Sequence, residues 1–508
     1  MTQETQSRSQ RIIKNTFFLY IRMFFVLAIG LYTSRVILKV LGETDFGIYS
    51  LVGGVITMFV FINQSLNTAT QRFITFDLGL GDRTKLRDTF SMSINVYLFF
   101  SILLIIVLES LGFYLLKQLN IDSARMGAAQ WVYQAMIVIT VVNMLGIPYK
   151  SLISAHERMS YTALVGVIES VLKLGIVFIV SFHGFDKLKL YSVLLIGVSL
   201  INYLLNWLYC SKYFAKESNY KLVWDKNKFK HFLKFSGMSL YEQIAVMLTY
   251  QGIDIMLNMF FGVIVNAAMG ISKQVQAALM NFISSFQGAM SPQITKSYAA
   301  KDYQYLDKLM VVAPKFSLYL ILIMVFPLYF NIEPILIFWL DNPPEYTVEF
   351  SKLILISSVV ESISLPLRTL IFAQGNITRY QFVVGSMLLL NIIFSFILLK
   401  AGYSPVSVLW VRVVVYFLID LIRIWFIRDL IKIPLIKYIR NTFTPVLLII
   451  TVGILSNYYI NERFSFNVPL SILISVLITV FLILVIGLNT FEKNYIRNLL
   501  NSRILRKK

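Results

Sequence analysis

The side chains of this 508-residue chain best suited to chemistry are cations set within long apolar runs. Arg22, Arg35 and Arg72 belong to the first two runs, and Lys273 belongs to a run in the second half. A charge at membrane depth costs about 2.5–3.5 kcal/mol on insertion scales, so it must be paired or face water. Because the planar donors of arginine match two phosphate oxygens at once, these cations predict a cavity for an anionic, phosphate-bearing substrate. Arg35 and Arg72 lie near run ends, where snorkelling to the interface is the alternative.

Polar side chains recur at helical spacing in the same runs. At 100° per residue, Gln64 and Gln71 share one face of the second run, and Gln276 and Gln287 share a face with Lys273. A stripe that spans most of a helix predicts a wet, polar lumen. Hydrogen bonding between helices in a dry interface is the alternative.

Further ionisable groups in the apolar runs are possible coupling residues. Glu169 and Lys173 stand four residues apart, so they equally suit a structural pair on one helix face. Asp254 and Glu361 are acids within later runs. These four residues are the predicted coupling residues, which would bind and release an ion within the membrane.

Several enzyme and cofactor motifs are missing from the sequence. No GxxxxGK segment is present, so the chain does not use a P-loop, and HERM (156–159) lacks the second histidine of a zinc-protease motif. The single Cys210 cannot form an internal disulfide. We therefore expect a protein that is not an enzyme and that carries no metal or other cofactor.

The elements that must position these residues are membrane helices. The chain is 57% hydrophobic and only 14% charged, whereas a soluble domain carries about 25% charged residues. A helix needs about twenty apolar residues to cross a bilayer. The sequence thus predicts an all-α polytopic membrane protein of about fourteen spans: 13–41, 46–77, 90–117, 128–149, 159–182, 190–211, 235–261, 266–297, 311–339, 348–374, 380–400, 405–428, 441–460 and 468–488.

The distribution of charge predicts the orientation. Lysine and arginine gather in every second connection, most densely across 212–234, while the segment DNPPEYTVE (341–349) on the opposite side is purely acidic. Cytoplasmic loops collect cations, so both termini are predicted to be cytoplasmic. The formal net charge of +20 then reflects topology and not binding to nucleic acid.

An internal repeat divides the predicted helices into two parallel sets of six. At an offset of 220 residues Gly42 matches Gly262 and Asp82 matches Asp302, and at an offset of 218 PYKSLISA (148–155) matches PLRTLIFA (366–373). Two lobes that enclose a central cavity follow. The predicted domains are an N-terminal lobe (1–211), a basic cytoplasmic linker (212–234), a C-terminal lobe (235–428), and two last helices with a basic tail (429–508).

The segment YTSRVILKVLGETDFGIYSLVGG (32–54), the repeated Pro-x-(Lys/Arg) motif and the plan of six, six and two helices together identify a family. The chain resembles the polysaccharide transporters and O-antigen flippases of the multidrug/oligosaccharidyl-lipid/polysaccharide (MOP, MATE-like) exporter superfamily along essentially its whole length. The resemblance implies a V-shaped, two-lobed fold whose cationic lumen maps onto Arg22, Arg35, Arg72 and Lys273. Branches that export cationic drugs typically use an acidic residue in the first helix, and this chain has none there before Glu43.

The resemblance also implies a function. The expected activity moves undecaprenyl-diphosphate-linked oligosaccharide repeat units, of O-antigen, capsule or exopolysaccharide, from the cytoplasmic to the periplasmic leaflet of a bacterial inner membrane. Alternating access would be driven by a proton or sodium gradient or by the membrane potential, with a polysaccharide polymerase as a possible partner. A lipid-linked peptidoglycan precursor flippase is the closest alternative. An ion-coupled exporter of small molecules and an O-antigen polymerase are further alternatives, and the short predicted outer loops disfavour the polymerase.

Overall fold

The computed structural model describes residues 3–57, 60–118, 121–182, 184–222, 225–463, 467–489 and 492–493. Within these residues the regular secondary structure is helical throughout, and it ends in a π-helical turn over Ile483–Gly487. The helices are α1 Gln3–Thr57, α2 Val60–Leu80, α3 Arg83–Gln118, α4 Ser123–Ala155, α5 Met159–Phe182, α6 Lys187–Tyr213, α7 Ala215–Ser218, α8 Lys226–Phe261, α9 Val263–Ala299, α10 Tyr303–Leu340, α11 Thr347–Glu361, α12 Ser364–Gln374, α13 Thr378–Lys400, α14 Val406–Ile427, α15 Leu435–Thr442, α16 Thr444–Arg463 and α17 Val468–Leu482.

The prediction of an all-α, multi-pass membrane protein is confirmed. In the part of the chain that the structure describes, eleven spans are long and apolar enough to cross a membrane. Helices satisfy every backbone polar group within one segment, which is why lipid favours them. Three more helical stretches occupy the other predicted spans. They are α2 with the end of α1, α9, and α14, which carries Arg412, Asp420 and Arg423.

The repeat found in the sequence is also present in the backbone. Gly42 and Gly262 both have left-handed φ values, 78° and 79°, where one membrane helix ends and the next begins. At the same offset Gly81 and Lys301 have φ values of 76° and 56°. Each precedes an aspartate whose side chain caps the next helix: Asp82 accepts from the amides of Thr84 and Lys85, and Asp302 accepts from the amide of Tyr305. Matching sequence positions therefore make matching turns.

The third pair of left-handed positions contrasts a glycine with a glutamate. Glu157 (φ 60°) and Gly375 (φ 90°) lie at the offset of 218. A side chain in this region costs about 1–2 kcal/mol, and ion pairing holds Glu157 there. Its buried carboxylate accepts hydrogen bonds from Lys296 Nζ (2.6 Å) and Gln293 Nε2 (2.5 Å).

Two helix boundaries differ from the sequence prediction. The span predicted over 348–374 is two helices, α11 and α12, which are separated at Ser362 and Ile363. Pro366 lies in the first turn of α12, where its missing amide hydrogen is tolerated. In the other case, Lys150 was predicted in a connection after a helix ending at residue 149, yet α4 continues to Ala155, so Lys150 is a helical residue.

The first of two compact units comprises Met1–Ile244, Ser291–Lys301 and Gly375–Gln381. Within it α1 packs along α5 and α4 packs along α6. An ionic cluster joins the beginnings of α4 and α6 to α1. There, Arg125 donates to Asp45 through Nε (2.9 Å) and to Asp186 through Nη1 (2.8 Å). Asp186 also caps α6 by accepting from the amides of Leu188 and Lys189.

The second unit comprises Ala245–Met290, Asp302–Gln374 and Phe382–Lys508. Within it α10 packs against α11, α16 and α17, and α14 packs against α11 and α12. A buried ion pair between Lys315 Nζ and Glu492 Oε1 (2.5 Å) ties α10 to the segment after α17. The domain boundaries and the central cavity proposed from the sequence stay predictions.

Candidate functional site

Arg22 lies in the first unit at the contact between α1 and α5. Its guanidinium crosses Gly166, where a methyl group in place of hydrogen would lie only 2.5 Å from Nε and 3.1 Å from Cδ. The side chain is partly buried, and it has no hydrogen bond or ion pair with any described residue. Arg22 is therefore a membrane-depth arginine whose donors remain available to a ligand.

The residues around Arg22 form a polar cluster contributed by four helices. Glu169 on α5 accepts from Lys173 Nζ (2.7 Å) on its own helix and from Asn202 Nδ2 (2.5 Å) on α6. The charges of Lys173, of Lys150 on α4 and of Arg22 all act on Glu169. We call Arg22, Lys150, Glu169, Lys173 and Asn202 the basic cluster.

The basic cluster holds more positive than negative charge. Arg22, Lys150 and Lys173 face a single carboxylate, Glu169, so the excess is two positive charges. Lys150 and Lys173 are exposed, whereas Asn202 is 6% exposed and fixes one oxygen of Glu169. Uncompensated cations within an apolar run are expensive. An excess of two positive charges suits a ligand that carries two negative charges.

A second group of charged side chains lies in the second unit. Lys273 Nζ on α9 donates to both oxygens of Asp254 on α8, at 2.6 Å each. Arg412 Nη2 on α14 donates to Tyr250 Oη (2.8 Å) and lies 3.5 Å from Glu361 Oε1. We call these residues, with Gln276 and Tyr416, the balanced network.

The balanced network has no excess charge among its described members. Two cations, Lys273 and Arg412, meet two carboxylates, Asp254 and Glu361. Gln276 Nε2 donates to the second oxygen of Glu361 (2.8 Å), and the Arg412 guanidinium stacks over the rings of Tyr250 and Tyr416 at 5.0 and 5.2 Å. Such a closed set of partners suits a structural role or ion coupling better than it suits the capture of a dianion.

The four predicted cations have different surroundings. Arg35 is exposed. The Arg72 guanidinium stacks on Phe73 and Phe76, each at 4.6 Å, and packs against Gly375. Lys273 is neutralised by Asp254. Only Arg22 lies in a cluster with excess positive charge.

The predicted polar residues also divide by environment. Gln64 is exposed, and Gln71 Nε2 donates to Ser154 Oγ (3.2 Å) on α4. Gln287 Nε2 donates to Ser317 Oγ (3.0 Å) and to the carbonyl oxygen of Ser362 (2.5 Å), which lies at the break between α11 and α12. Gln287 and Gln71 thus make helix–helix hydrogen bonds, the alternative that the sequence left open.

Sequence reasoning missed five residues of these two groups. The predicted spans place Lys150 in a loop, Arg412 is not assigned to a site, and Asn202, Tyr250 and Tyr416 give no signal of their own. Extending the predicted fourth helix past residue 149 would have identified Lys150 as a candidate, because Lys150 is a charged residue in an otherwise apolar turn after Pro148. In the described residues no group of three or more histidine, cysteine, aspartate or glutamate side chains is arranged to hold a metal ion.

Comparisons with known proteins identify the architecture. The MatE family model matches residues 19–179 and 240–397, over half of the chain. A solved outward-facing multidrug resistance MATE transporter of the MOP superfamily aligns with a TM-score of 0.72 at 12% identity, covering 83% of this chain and 96% of that one. A MOP superfamily transporter from Pyrococcus furiosus gives 0.69 at 11%, covering 84% and 98%. The Vibrio cholerae MATE transporter VcmN gives 0.68 at 16%, covering 86% and 99%. No curated protein matches the chain.

Proposed function

Because the chain belongs to the MatE family of membrane transporters, we propose that its cargo is a lipid-linked oligosaccharide whose diphosphate binds the basic cluster. The protein would move undecaprenyl-diphosphate-linked repeat units from the cytoplasmic to the periplasmic leaflet by alternating access. In this proposal the membrane is the bacterial inner membrane, and both termini are cytoplasmic. The cationic composition of the cluster supports the anionic cargo.

The observation that carries the proposal is the unpaired guanidinium of Arg22 beside Lys150 and Lys173. Charge-assisted hydrogen bonds to phosphate oxygens are about twice as strong as neutral ones. Arginine offers two of them in parallel, and the exposed lysines add charge without fixed geometry. Asn202 holds Glu169 to one side, so the carboxylate does not compete for Arg22 through a hydrogen bond.

The polarity of this cluster separates the proposal from export of cationic drugs. Such a substrate needs an acid to neutralise it, and here the single acid already pairs with Lys173 and Asn202. The solved MOP superfamily transporter from Pyrococcus furiosus is described as having a binding pocket of reverse polarity that suggests a different function. That description supports the idea that, among proteins of this fold, the charge of the binding pocket determines which cargo is carried.

Coupling to an ion gradient is the second part of the proposal. Asp254 and Glu361 in the balanced network, and Glu169 with Lys173 in the basic cluster, are carboxylates whose cationic partners lie within hydrogen-bond or ion-pair distance. Protonation of such a carboxylate releases its partner and changes the packing between helices. The driving force would be a proton or sodium gradient or the membrane potential.

A complementation experiment tests the cargo. R22A should abolish export of surface polysaccharide at unchanged protein level, and R22K should retain part of it because lysine keeps the charge without the paired donors. K39A, which removes an exposed cation elsewhere on α1, serves as the matched control. Unchanged export in R22A would remove Arg22 from the site. Lysis on depletion of the protein would point to the peptidoglycan precursor, and sensitivity to toxic cations would point to a small-molecule exporter.

A further inference from the structure

A small cleft lies beside the balanced network in the second unit, and some of its polar lining groups have no partner in that network. It is partly open, and its empty space, including the part continuous with solvent, is about 280 Å³. Its lining contains two cations and no carboxylate, because Asp254 and Glu361 pair with Lys273 and Arg412 from outside the lining. The lining residues are Thr249, Tyr250, Ile253, Met269, Lys273, Asn391, Leu409, Arg412 and Tyr416.

Two buried donors at this cleft have no acceptor among the described residues. Asn391 is 0% exposed, and its Nδ2 makes no hydrogen bond, while its Oδ1 accepts from Ser395 Oγ at 3.2 Å. Arg412 is 4% exposed, and its Nε makes none either. A buried donor without a partner costs free energy, so each such donor in a native protein requires an explanation.

The chemistry of these groups favours a ligand that carries one negative charge. Two donors that lack acceptors, one of them on a charged guanidinium, call for a ligand that accepts hydrogen bonds. A cation would meet Lys273 and Arg412 with no carboxylate in the lining to offset them. Both cations already have acidic partners, so a dianionic phosphate would leave two negative charges in excess, whereas a monovalent anion leaves one.

From these observations we propose that the cleft lined by Asn391, Lys273 and Arg412 binds one monovalent, hydrogen-bond-accepting anion. Asn391 Nδ2 and Arg412 Nε donate to it. Chloride from solution and the carboxylate of an acidic sugar share this chemistry. The apolar wall formed by Ile253, Met269 and Leu409 excludes water from one side of the anion, which strengthens both hydrogen bonds.

Two spectroscopic arms test the proposal on the full-length protein in detergent. In the first, the ³⁵Cl line broadening that the protein adds to a sodium chloride solution is measured for the wild type, N391L and N391D. In the second, saturation transfer from the protein to sodium glucuronate is measured, with glucose as the neutral comparison. N457L is the matched control, because Asn457 is another buried amide of the second unit whose Nδ2 is satisfied by the Gly453 carbonyl oxygen.

We expect the anion affinity to fall about tenfold in N391L, the effect of losing one hydrogen bond to a charged ligand. N391D should abolish binding, because its carboxylate would itself occupy the cleft beside Arg412. The melting temperature of N391L should fall little, since the replaced donor has no partner in the protein and the replaced Oδ1 accepts only from Ser395 Oγ. N457L should bind as the wild type does.

The outcomes separate the two sources of the anion. Broadening that depends on Asn391 and is reversed by glucuronate indicates a site open to sugar carboxylates. Broadening that depends on Asn391 and resists glucuronate indicates a chloride site. Either result supports the proposal, whether or not the cargo is a glycan. Chloride broadening and glucuronate transfer that are the same in the wild type, N391L and N391D would overturn it.

Discussion

The basic cluster and the balanced network differ in how their charges are satisfied. Arg22 in the first unit has no ion pair with the described residues, whereas Arg412 in the second unit is 4% exposed and meets Tyr250 and Glu361. Both are arginines within apolar helices. We propose that the paired arginine maintains structure and that the unpaired one binds cargo.

The largest expected effect, on the free energy of unfolding, comes from a substitution that breaks the balanced network. R412A leaves the carboxylate of Glu361 without its cation, and removing one partner of a buried pair costs about 3–5 kcal/mol. The free energy of unfolding of R412A in detergent should fall by about this amount. The double variant R412M/E361Q should recover most of the loss, because it removes both charges together. A single R412A variant as stable as the wild type would contradict the assignment of Arg412 to structure.

An arginine-to-alanine substitution in the basic cluster should leave stability unchanged and weaken ligand binding. R22A removes a cation that pairs with nothing described, so its free energy of unfolding should match that of the wild type within about 0.5 kcal/mol. Affinity for the diphosphate should fall about tenfold to a hundredfold, the effect of losing charge-assisted hydrogen bonds. Calorimetry with inorganic pyrophosphate measures this loss. A strongly destabilised R22A variant would make Arg22 structural and would remove the contrast with Arg412.

A smaller effect should follow from displacing Arg22 without changing it. G166A places a methyl group 2.5 Å from the present position of Arg22 Nε, so the flexible guanidinium must move. We expect transport to fall severalfold, at an unfolding free energy no lower than that of the wild type, because alanine favours the helix by up to about 1 kcal/mol over glycine. G175A on the same helix meets nothing within 4 Å and is the matched control. Equal transport by G166A and G175A would show that the position of Arg22 is unimportant.

The smallest expected effect concerns the ion pair between Arg125 and Asp186 in the first unit. Burial favours the neutral form of Asp186, but hydrogen bonds from Arg125 and from backbone amides outweigh it and hold the pKa of Asp186 below its ordinary value of 3.8. The ionised form therefore stabilises the fold above that value, and the contribution is lost as the pH falls through the lowered pKa. D186N keeps the helix cap and removes the charge, so it should cost about 1 kcal/mol or less at pH 7. Melting temperatures of D186N and the wild type should converge in acid; a gap independent of pH would contradict the ion pair.

The sequence predicted the fold well because the relevant signals are local. Apolar runs, the glycines at positions 42 and 262, and the spacing of Glu169 and Lys173 all report on one helix or one turn. The contacts of the site residues could not be predicted, because they depend on which helices meet. Lys150 and Asn202 reach Glu169 from other helices, and Arg412 reaches Tyr250 across 162 positions of the chain. A helical stripe gives the face of a residue but not the neighbour opposite, which is why Gln287 was assigned to a lumen and is found bonded to Ser317 and Ser362.

Translocation in a reconstituted membrane tests the central claim most directly. Proteoliposomes would carry a fluorescent polyprenyl-diphosphate oligosaccharide, and the fraction accessible to an impermeant quencher would be followed with time for the wild type, R22A and K39A. The account predicts that R22A slows translocation at least about tenfold while K39A matches the wild type, and that a polyprenyl-linked glycan without the diphosphate is not moved. Translocation by R22A at the wild-type rate would contradict it.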